Sequence, residues 1–207
     1  MKAFAAMETS SESLEFELLP YKTKPSKRER PKAGVEGQIG HFGPVVVERC
    51  PLLHPLAKGM DTARLSGPDF PETVFRGKRR LGRPSLFKAE LTLDGHIAEL
   101  RFNSRAVRKK DRTLRIGHQG RQYIYSIESL GMKRILEREG VRVSIGPGRH
   151  VPPATTYSAG TATGPVDALD LAIAIVLEEV DTDALTLAGT ALSAPFALLQ
   201  RWSDEAE

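Results

Sequence analysis

Cysteine is almost absent from this chain. Cys50 is the sole thiol in 207 residues, so an internal disulfide framework is excluded, which fits a reducing compartment. Metal-ligand spacing is missing as well. None of the five histidines, His41, His54, His96, His118 and His150, stands three or four residues from another. Cys50 and His54 make a C-x3-H pair without the second pair a zinc site needs. The glycine-rich run GPGRH at 146–150 could offer backbone N–H groups to a phosphate, but it lacks the Lys-Ser/Thr of a P-loop and reads more simply as a turn closing a strand. Glu137 and Glu139 flank a turn and should be solvated, not paired for acid–base work. The chain therefore reads as a non-enzymatic protein with no cofactor and no metal. Its first twenty residues hold four glutamates and no continuous apolar core of the signal-peptide kind, which predicts a cytoplasmic protein, able to lie at a membrane peripherally.

Acidic residues are scarce in the middle and basic ones at the end. Residues 73–150 carry 19 Lys/Arg against 7 Asp/Glu, whereas residues 151–207 carry 1 against 9. Two readings follow. The acidic end can pack on the basic middle and neutralise part of it. Alternatively a basic face is kept for a phosphate-rich partner, either anionic phospholipid or nucleic acid. The candidate anion-binding residues fall in two runs. One is Arg76, Lys78, Arg79, Arg80 and Arg83; the other is Arg105, Arg108, Lys109, Lys110 and Arg112. The second follows a predicted strand and reads as a projecting loop. A third basic run, YKTKPSKRERPKAG at 21–34, has no large aliphatic residue and reads as a solvated linker or an electrostatic arm. Tyr123 and Tyr125 share one face of a strand and suit either a base-stacking platform or a core.

Periodicity supplies the architecture. In 85–104, Leu91 and Leu93 alternate with polar residues, Asp94 and Gly95 offer a tight primed turn, and Ala98, Leu100 and Phe102 return along one side. Further short strands are predicted at 113–116, 121–128, 132–136 and 141–145, with weaker ones at 15–19 and 45–47. Residues 50–72 and 146–165, rich in Pro and Gly, read as loops. VDALDLAIAIVLEEV at 166–180 is apolar all round in its centre, so it wants surroundings on every side. It reads as a helix about 20 Å long, too short for a bilayer of about 30 Å. Strand alternation also fits the run, but its alanines and early acidic residues favour helix. The uncharged stretch within 184–202 is predicted to be a second helix, kinked near Pro195, that packs on the core, engages another chain or a second copy, or touches a membrane.

The predicted organisation is a flexible segment at 1–40 with its basic linker, a barrel-like domain at 41–180 whose core helix is 167–180, and an apolar helix with an acidic tail at 181–207. The fold class is mainly β with C-terminal helices: an antiparallel β-barrel or strongly curved sheet wrapped around a hydrophobic helix. TLDGHIAELRFNS, RQYIYSIESLGMKRILEREGVRVSI and VDALDLAIAIVLEEV, within 85–180, resemble the Tubby-like superfamily, which includes Tubby C-terminal domains, LURP-one-related proteins and phospholipid scramblases. That resemblance implies a closed barrel threaded by a helix, and a binding module for phosphoinositide headgroups. Family helices tend to close the chain, whereas 182–202 adds a further segment here. The expected function is recognition of an anionic partner, foremost membrane phospholipid headgroups, with nucleic-acid binding or assembly through 184–202 as alternatives.

Overall fold

The computed structural model describes residues 13–23, 32–49, 59–103, 112–128, 133–151 and 155–186. Four strands come first: β1 (Leu14–Lys22), β2 (Ala33–Gln38), β3 (Pro44–Arg49) and β4 (Met60–Ser66). Next come β5 (Thr73–Arg80), a two-residue spur β6 (Arg83–Pro84), β7 (Glu90–Leu93) and β8 (His96–Phe102). The series ends with β9 (Leu114–His118), β10 (Arg121–Glu128), β11 (Lys133–Arg138), β12 (Val141–Val151) and β13 (Thr155–Thr163). Apart from the spur, each strand pairs antiparallel with the next, and β13 returns to pair with β1, Leu14 opposite Ala162. The result is a closed twelve-strand up-and-down barrel, which has no open edge.

A barrel of this many strands is wide. Strand spacing and a typical tilt give a backbone diameter of roughly 24 Å. A helix about 11 Å across then leaves about 6 Å on each side, one layer of aliphatic side chains. That gap is filled by α1 (Ala168–Val176), which continues as a 3-10 turn, Leu177–Glu179. Leu171, Ile173, Ile175 and Leu177 are fully buried, and so are Leu18, Val47, Leu65, Phe75, Leu93 and Ile116 from strands around the wall. The uniformly apolar run is therefore a plug, as its sequence predicts. Asp167 caps it: its side chain accepts from the Asp170 N–H, and the Asp170 carboxylate accepts from the Asp167 N–H.

The strand pattern is richer than the sequence suggests. Residues 1–40 read as flexible, yet β1 and β2 lie there and close the barrel against β13 and β3. The weak strand expected at 15–19 lies within β1, its Phe16 and Leu18 inward, whereas the polar composition of β2 hides its strand character. Within 50–72, β4 points Asp61, Ala63 and Leu65 inward; an inward aspartate breaks the hydrophobic pattern. The segment 146–165 is not a long loop. β12 runs on through GPGRH, with a register irregularity between Pro147 and His150, and β13 follows. Gly160 admits the pairing of β13 with β1, since a Cβ there would sit 2.1 Å from the Phe16 ring. The segment 184–202 begins in a 3-10 turn, Asp183–Leu185, with Ala184 and Leu185 buried; residues from 187 onward lie outside the described residues.

The two ends of the barrel differ. At one, strands are joined by short turns, among them Asp94 with Gly95, Gln119 with Gly120, and Glu139 with Gly140, and the helix begins there. We term this the turn end. At the other, the loop end, lie the ends of β1, β3, β5, β8, β10 and β12, and the helix arrives with its C-terminus.

Candidate anion-binding end

Alternation on β5 divides the first basic run. Arg76 and Lys78 face outward, and neither has an ion pair among the described residues. Arg79 faces inward and pairs with Asp61 at 3.1 Å, both side chains 7% exposed. Arg80 Nη1 donates to Asp181 Oδ1 at 3.3 Å, and Arg83 Nη1 donates to the Glu178 carbonyl at 3.1 Å. Two further arginines join them. Arg49 pairs with Glu179 and donates to the Gly82 carbonyl, and Arg134 Nε lies 3.4 Å from Glu178 Oε1. The acidic C-terminus of the plug thus meets a ring of barrel arginines. Helix polarity alone would repel those carboxylates from a helix C-terminus. The guanidiniums offset that.

Burial dominates the titration of this ring. It pushes the Glu178 carboxyl above its ordinary value, with Arg134, the Ser158 hydroxyl and Arg83 opposing and Glu179 reinforcing. Asp181 is raised by burial as well, against the pull of the Asp183 N–H and Arg80. The Tyr125 phenol is raised by burial and by the nearby Glu178 carboxylate.

The second basic run leaves the barrel at this same end. Arg105, Arg108, Lys109 and Lys110 lie outside the described residues, but the strands they connect, β8 and β9, end and begin at the loop end. Arg112 is described: it is 5% exposed, shares the inward parity of Leu114, and its Nε and Nη1 atoms have no hydrogen-bond partner. The arm at 24–31 likewise joins β1 to β2 at the loop end and lies outside the described residues.

Charge is therefore sorted along the barrel axis. By sequence, the strand connections of the loop end carry thirteen Lys/Arg against two Asp/Glu, with four more acidic residues, Glu178, Glu179, Asp181 and Asp183, on the end of the plug; the connections of the turn end carry five Asp/Glu and no Lys/Arg. Along the outer wall the charges alternate and pair: Arg64 with Glu72 at 3.4 Å, Arg101 with Glu99, and Arg142 with Glu137.

No protein-family model, curated protein or solved structure matches the chain.

Other candidates resolve on burial. Tyr123 and Tyr125 are each 1% exposed and belong to the core, so they are no stacking platform. Among the described residues no group of three or more His, Cys, Asp or Glu side chains could hold a metal ion, and no helix is long and apolar enough to cross a membrane. Cys50 and His54 lie outside the described residues. The ring partners Arg49, Asp61, Arg134, Glu178, Glu179 and Asp181 escape sequence reasoning. A faint signal exists in Arg134, Leu136 and Arg138, where arginines hold the inward positions of a strand.

Proposed function

We propose that this protein is a non-enzymatic binding module of Tubby-like architecture, which docks its loop end on phosphate-rich membrane headgroups. The observation that carries the reading is the sorting of charge along the barrel axis: the loop end carries thirteen Lys/Arg in its strand connections against two Asp/Glu there and four on the end of the plug, whereas the turn-end connections carry five Asp/Glu and no Lys/Arg. A closed antiparallel barrel threaded by one apolar helix supports the Tubby-like comparison. Part of the basic middle is consumed internally, since Arg79, Arg80 and Arg83 are held by Asp61, Asp181 and the Glu178 carbonyl. The outward Arg76 and Lys78, together with the connections at 24–31 and 104–111, are then the cations for a partner. A barrel end fed by basic connections suits a planar anionic surface. A nucleic acid lying along the wall would meet alternating, already paired charges.

Co-sedimentation with phosphatidylserine-containing liposomes, beside gel shifts with DNA and RNA at two salt concentrations, tests this. Replacing Arg108, Lys109 and Lys110 together with Ser removes about 3 kcal/mol of membrane attraction, on the order of a hundredfold. Unchanged liposome binding by that variant refutes the assignment. A gel shift without liposome binding transfers the end to nucleic acid. Oligomers that bind neither polyanion favour assembly through 184–202.

A further inference from the structure

Among the described residues, three two-residue connections have positive φ at both central positions: Leu81 and Gly82 (50° and 77°), Asp94 and Gly95 (47° and 78°), Gln119 and Gly120 (46° and 81°). Such turns favour Asn, Asp or Gly first, because a left-handed backbone is strained for residues whose side chain cannot hydrogen-bond locally. At the turn end the first position is polar. At the loop end it is Leu81, 77% exposed, the most exposed large hydrophobic residue among those described. Met60, 38% exposed, stands nearby on β4, opposite Lys78 in register.

The tip that carries Leu81 is held firmly. Arg79, Arg80 and Arg83 on either side of it are anchored to Asp61, Asp181 and the Glu178 carbonyl. The Gly82 carbonyl accepts from Arg49. The Ser85 N–H and hydroxyl both donate to the Lys78 carbonyl, at 2.9 and 2.6 Å. Gly77 admits that crossing, since a Cβ there would lie 2.1 Å from the Ser85 carbonyl oxygen. A strained, solvent-facing leucine on a rigid tip gains nothing from water. Strain of this kind persists only where the surroundings impose it, and it marks functional positions.

We infer that Leu81, supported by Met60, is a lipid-insertion point, and that its occupant is an anionic bilayer. The outward Arg76 and Lys78 on the strand that leads to this apolar tip match a membrane surface, with phosphates outside and acyl chains beneath. A nucleic-acid backbone offers the charge without the apolar layer. The inference rests on the headgroup reading above and adds depth to it: the loop end does not merely touch the headgroups but places one side chain below them.

The test uses the full chain and vesicles of phosphatidylcholine with phosphatidylserine. Leu81→Asn suits the left-handed turn, so its melting temperature should equal or exceed that of the wild type. Its affinity for the vesicles should fall about ten-fold or more, the partition of one aliphatic side chain. A second variant, Leu81→Trp with Trp202→Phe, carries a single indole, whose emission should shift to the blue when the vesicles are added. If Leu81→Asn binds as the wild type does, or the indole stays solvated on bound protein, insertion is overturned. If the Ser triple variant loses binding while Leu81→Asn keeps it, the headgroup reading stands and insertion alone fails. Wild-type protein that ignores the vesicles overturns both.

Discussion

Removing the Asp170 carboxylate should loosen the plug from the barrel. Asp170 is fully buried at the first turn of α1. Its oxygens accept from Arg138 Nε at 2.6 Å, Arg138 Nη2 at 2.7 Å and the Asp167 N–H at 2.9 Å. Asp170→Ala breaks a bidentate ion pair and half of a capping box at once. Breaking a buried pair costs about 3–5 kcal/mol, and a lost cap adds about 1. Arg138 keeps the Pro165 carbonyl at 3.1 Å and is 18% exposed, which lowers the sum to about 3 kcal/mol. For a chain of 207 residues this is a drop of about 6–12 °C in Tm. Urea unfolding followed by circular dichroism measures it, with the denaturant slope unchanged if only stability moves. Arg138→Met should cost a similar amount, because it leaves Asp170 buried without its strongest partner. The pair Asp170→Leu with Arg138→Met should recover much of the loss, with a coupling of about 2 kcal/mol in the cycle. A loss under about 1 kcal/mol for Asp170→Ala, or purely additive single effects, would refute the idea that this pair pins the helix.

Ile173→Ala, at a fully buried plug position, should cost about 2–5 kcal/mol in the same urea assay, whereas Ile97→Ala, on the exposed wall, should change stability by less than about 0.5. Comparable losses at the two sites would place the helix outside the barrel. Gly77→Ala should cost about 1–3 kcal/mol through the clash with the Ser85 carbonyl, and a neutral result would show that the spur is free to move. The folded-state value of Glu178 lies above the ordinary 4.5, so the folded form binds more protons than the unfolded one just above that pH. The stability this group contributes is present below about pH 4.5 and is lost as pH rises through the raised value. Glu178→Gln should remove that slope from a urea pH series, and an unaltered slope would assign it to another group. Asp167 acts in the opposite sense. Burial works against its charge, but the Asp170 N–H and the guanidiniums of Arg121 and Arg138 hold its carboxyl below the ordinary value. Its contribution is present above about pH 3.8 and is lost as pH falls through the depressed value, so Asp167→Asn should flatten the acid limb of the same series.

The sequence by itself determined that 171–177 is buried and favoured a helix there, because seven consecutive apolar residues leave no face for water. It also determined the hairpin about Asp94 and Gly95, whose turn chemistry and alternation are local, and the division of charge into basic and acidic stretches. Only the tertiary structure decided what those charges meet. Arg80 reaches Asp181 across 101 residues, and Arg49 reaches Glu179 across 130. Such pairs depend on register and closure around the whole barrel, which no window of sequence contains. The same holds for β2 and β4. Their inward residues include Asp61 and Ala63, and they become strands because neighbours supply hydrogen bonds and the plug supplies a surface to cover. Leu81 shows the division most plainly: from the sequence it is one leucine between arginines, and only the backbone around it reveals that it stands alone, strained and turned toward the outside.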